Sequence, residues 1–88
     1  MRKYWLDLTL PQYEAIRDLC VTLAIKPGMK MHITLNEAFQ LKNKVLGLPT
    51  PTTRAFVTMN CVYNKLQSLE DIARQREAAE QKEVQHVA

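Results

Sequence analysis

Apolar and polar residues alternate strictly over 3–10, with Tyr4, Leu6, Leu8 and Leu10 on one face and Lys3, Trp5, Asp7 and Thr9 on the other. Period two marks a half-buried strand. The period then changes. Thr9 and Gln12 stand at capping-box spacing, Leu8 and Tyr13 stand where a hydrophobic staple closes, and Pro11 falls in a first helical turn. Tyr13, Ile16, Cys20 and Leu23, with Leu19 beside them, form the apolar stripe of a helix that Lys26-Pro27-Gly28 should stop.

The same order then repeats. Residues 29–34 alternate, with Met29, Met31, Ile33 and then Leu35 inward and Lys30, His32 and Thr34 outward. Thr34 and Glu37 form a second capping box, so a helix is expected over 35–46 with Gly47 as its C-cap. Thr50 and Pro51 follow in the order of a cap and a first-turn proline, predicting a third helix. Along it Ala55, Met59, Val62, Leu66, Leu69 and Ala73 recur at spacings of four and three. That is the seam of a coiled coil or of a core-facing helix.

The expected fold is helix-rich α+β: βαβα, then a long C-terminal helix, with a small sheet of two short strands (3–10 and 29–34). A single domain over 1–73 would carry a charged, fraying helical tail at 74–88. Two strands alone are marginally stable, which favours a sheet completed or covered through a homodimer. Met59, Val62, Leu66, Leu69 and Ala73 are its expected dimer or partner seam. Composition agrees with one small globular unit, since 88 residues are 47% hydrophobic with only 2 Gly and 4 Pro, too few for an all-β chain.

The chemistry is sparse. Cys20 and Cys61 form no C-x-x-C pair, and His32 and His86 lack ligand-spaced partners, so neither a metal nor a cofactor is expected. Ser68 is the one serine, and there is no glycine-rich phosphate loop. The chain reads as a non-enzyme. With no apolar run of membrane length and acids interrupting the N-terminal segment, a cytoplasmic, reducing setting is expected.

Charge is uneven. Residues 1–65 carry nine Lys/Arg against four Asp/Glu, and no acid lies between Glu37 and Glu70. An acid-free stretch suits a polyanion. Residues 8–14 look like the opening of a ribbon-helix-helix repressor, which implies groove reading by Lys3, Trp5 and Asp7. The aspartate and the second alternating segment depart from that family. Residues 35–46 and 51–66, joined by Gly47-Leu48-Pro49, resemble a helix-turn-helix. That resemblance implies nucleic-acid contacts by Lys42, Lys44, Thr53, Arg54, Asn60, Asn64 and Lys65, and a small non-catalytic regulatory protein. The alternative is a protein–protein interaction module, an adaptor or inhibitor of the phage or plasmid type, docking on a larger assembly through Trp5 and the third helix.

Overall fold

A computed structural model describes the backbone of residues 2–87 and the side chains of residues 2–80. The order is β1 (Lys3–Asp7), α1 (Leu10–Thr22), β2 (Lys30–Thr34), α2 (Leu35–Leu46) and α3 (Thr53–Val87). The fold is α+β, as the periodicities require. The two strands pair antiparallel, Lys3 with Thr34, Trp5 with His32 and Asp7 with Lys30, while Tyr4 faces Ile33 and Leu6 faces Met31. Tyr4, Leu6, Met31 and Ile33 are buried beneath the helices, which gives this two-stranded sheet the cover it needs.

The boundaries depart from the alternation in a regular way. β1 ends at Asp7, although the Leu8 N–H still donates to the Met29 carbonyl at 2.7 Å. Thr9 then takes the N-cap conformation, the period passes from two to 3.6, and Leu10 turns outward, 53% exposed. Met29, expected inward, is exposed at the sheet's end.

Helix α1 stops before Lys26-Pro27-Gly28. Its C-cap is Leu23, and Ala24 adopts a left-handed φ of 57°. The Ile25 N–H reaches back to the Cys20 carbonyl at 2.8 Å and the Ala24 N–H to the Val21 carbonyl at 3.1 Å. This is a Schellman closure with alanine in the position glycine usually takes, and the buried Ile25 seals it. Helix α3 likewise starts two residues late. Thr52, not Thr50, caps it, its hydroxyl accepting from the Ala55 N–H at 3.1 Å.

Ile16 and Cys20 of α1, Ala38, Leu41 and Val45 of α2, and Val62, Leu66, Leu69 and Ala73 of α3 fill the core, with Met59 packed half-buried at its margin. Burying Leu66 alone contributes about 1.5–3 kcal/mol relative to solvent exposure. The seam expected to meet a second copy is thus occupied by this chain's own helices and strand, because spacings of four and three suit a core-facing helix as well as a coiled coil. Helix α3 runs on to Val87, and its 35 residues set the 54 Å long axis. Glu77 accepts from the Tyr4 hydroxyl at 3.5 Å, and Glu80 pairs with Arg2. The side chains of the expected tail beyond Glu80, including Val84, His86 and Val87, lie outside the described residues.

Candidate interaction surface

Two of the cations that look unopposed along the chain, Lys42 and Lys65, meet partners across the fold. Lys42 is largely buried, pairs with Glu70 and donates to the Gln67 side chain at 3.0 Å. Lys65 donates to the Asp7 carbonyl at 2.9 Å and to Gln12 Oε1 at 2.6 Å, which ties α3 to the β1–α1 junction. Arg54 lines one shallow groove with Glu14 of α1. Lys44, Thr53, Asn60 and Asn64 are exposed, but Lys44 sits in the last turn of α2. Thr53, Asn60 and Asn64, seven and four residues apart, share one exposed stripe of α3, whereas Lys42 and Lys65 are engaged internally. Helices α2 and α3 also lie side by side and antiparallel: Lys42 meets residues 67 and 70, whereas Phe39, one turn earlier, shares a groove with Arg74 and Glu77. A helix-turn-helix instead crosses its helices at about 90–120°.

A different concavity stands out. The ridge Asn64, Ser68, Ile72 and Arg76, with Lys65 and Leu69 beside it, runs along β1 and encloses a groove of about 560 Å³ lined by all five strand residues. The strand side of this groove is a hydrogen-bonding wall. Because the Leu8 N–H bonds across to Met29, even-numbered residues of β1 direct their backbone groups to β2 and odd-numbered ones direct theirs away. The N–H and C=O groups of Lys3, Trp5 and Asp7 therefore line a free edge. The Lys65 ammonium caps one of them, the Asp7 carbonyl.

On the sheet's outer face Trp5, 64% exposed, stacks on His32 with ring centroids 4.5 Å apart and planes 13° from parallel. Ile72, on the far wall, is 48% exposed. The sequence placed Trp5 and His32 outward but gave no register to bring them together, and Ile72 and Arg76 carried no signal because they fall off the seam.

Cys20 is buried, its Sγ 3.8 Å from the Met31 sulfur, and burial pushes its thiol up from the usual range. Among the described residues no three His, Cys, Asp or Glu side chains are placed to hold a metal ion, and no helix is long and apolar enough to cross a membrane. Comparison with protein-family models, curated proteins and solved structures returned no match.

Proposed function

We propose that this protein is a small, non-catalytic protein–protein interaction module, working in the cytoplasm, that docks an extended segment of its partner in the groove between β1 and α3. One observation carries the reading: the groove sets unpaired backbone groups of an edge strand against an apolar wall that includes Leu69 and Ile72, with Trp5 at its rim. Main-chain pairing at an edge supplies affinity, and side-chain pockets supply selectivity. The nucleic-acid reading has less support, since Lys42 and Lys65 are engaged internally and Arg54 has Glu14 for a neighbour.

The test is capture from lysate with and without nuclease, using wild type and Ile72→Arg. The expected result is a protein partner that survives nuclease treatment and moderate salt and is lost with Ile72→Arg. Capture that disappears with nuclease, or that falls steeply as salt rises, would overturn this reading in favour of nucleic acid.

A further inference from the structure

We propose that the segment seated in the β1–α3 groove is β1 of a second copy, the two strands pairing antiparallel about a two-fold axis at Trp5. The proposal rests on reading the groove as a docking surface and adds the identity of its occupant. Three observations carry it.

The first is register. Antiparallel strands exchange bonds only between residues whose backbone groups face each other. The free edge of β1 presents Lys3, Trp5 and Asp7, spaced evenly about Trp5. Pairing about Trp5 therefore sets Trp5 opposite its copy and each Lys3 opposite the other chain's Asp7, every pair being bond-competent. The Asp7 carbonyl that Lys65 caps keeps a second lone pair for the strand bond.

The second is charge. The strand reads Lys-Tyr-Trp-Leu-Asp, so its reversed copy is electrostatically complementary to it, with a cation against an anion at both ends. Parallel pairing in register would instead oppose like charges. The third is length. Lys3 to Asp7 spans about 14 Å when extended, and the ridge from Asn64 to Arg76 spans about 18 Å at helical rise. An incoming strand fits within the wall it lies beside. The product is a four-stranded sheet whose outer face carries the row His32, Trp5, Trp5 and His32, with no β1 edge left open.

The experiment uses the purified chain. Sedimentation equilibrium should show a dimer at tens of micromolar. Trp5 is the only tryptophan, so a concentration-dependent exciton couplet in circular dichroism would report two indoles in contact. Lys3→Asp should weaken the dimer about tenfold or more, and adding Asp7→Lys should restore it. In a Cys61→Ser background, Trp5→Cys should form an interchain disulfide on mild oxidation, because directly opposed Cα atoms lie within bridging reach at about 5.5 Å. Lys3, Trp5 and Asp7 are exposed and Cys61 is half-exposed, so these variants should fold.

A chain that stays monomeric, or a dimer that is indifferent to the charge exchange and gives no Trp5→Cys disulfide, overturns the proposal. If the chain is monomeric while Ile72→Arg still loses a captured protein, only the identity of the occupant fails. If Ile72→Arg changes neither capture nor self-association, the docking reading fails with it.

Discussion

Lys42 on α2 pairs with Glu70 on α3, and the other carboxylate oxygen of Glu70 has no hydrogen-bond partner. Arg74, one turn further on, brings Nη2 only to 3.8 Å of that oxygen. The carboxylate is 1% exposed and thus held between two helices by one close cation.

Removing the cation leaves a buried negative charge uncompensated. Lys42→Ala should cost about 3–5 kcal/mol in urea unfolding. Replacing both partners with apolar residues, Lys42→Met with Glu70→Leu, should cost about 1 kcal/mol or less. Glu70→Gln should fall between them, since an amide tolerates burial better than a lone carboxylate.

Ala24 bears a side chain where the backbone favours none. Ala24→Gly should stabilise the protein by roughly 0.5–1 kcal/mol, the reverse of the usual cost of glycine, because φ is positive there. Thermal unfolding of the two proteins decides it, and a lower midpoint for the glycine variant would contradict the left-handed closure.

The two thiols should separate cleanly. Cys61 is half-exposed and should react with a thiol reagent in the native state, whereas Cys20 should react only on unfolding. The raised pKa of Cys20 also sets a sign. Above about pH 8.5 the unfolded thiol loses its proton while the native one keeps it. Stability contributed by this group is therefore full at neutral pH and declines as pH rises through that range. Cys20→Ala should flatten the decline.

The two capping boxes are not equivalent. Thr34 Oγ1 accepts from the Glu37 N–H at 3.1 Å and its own N–H donates to Glu37 Oε1 at 2.8 Å, both part-buried. At Thr9 the exposed bond to Gln12 is 3.1 Å. Thr34→Ala should cost about 1 kcal/mol and Thr9→Ala less, as chemical denaturation will show.

Local signals were legible because they are written in neighbouring residues. The capping box at Thr34 places the start of α2 at Leu35, and the seam from Val62 to Ala73 names the buried face of α3. Signals that depend on folding were not. The run without acids between Glu37 and Glu70 suggested an open cationic face, yet Glu70 itself closes on Lys42 and Gln12 closes on Lys65. The free edge of β1 was invisible for the same reason, since it follows from which strand lies beside β1 and in what register. The stop of α1 at Ala24 was missed because alanine carries no left-handed preference, and only the bonds of Ile25 and Ala24 reveal it.

Helix α3 is the last element in the chain and supplies Leu69 and Ala73 to the core that β1 and β2 begin. On a ribosome the hairpin-like pair is complete once Thr34 has emerged, about forty residues before Ala73. At about 5–20 residues per second this is an interval of about 2–8 s. For that time Tyr4, Leu6, Met31 and Ile33 face solvent without their final cover, so the nascent chain is most open to chaperones and to neighbouring chains on the same message during this interval.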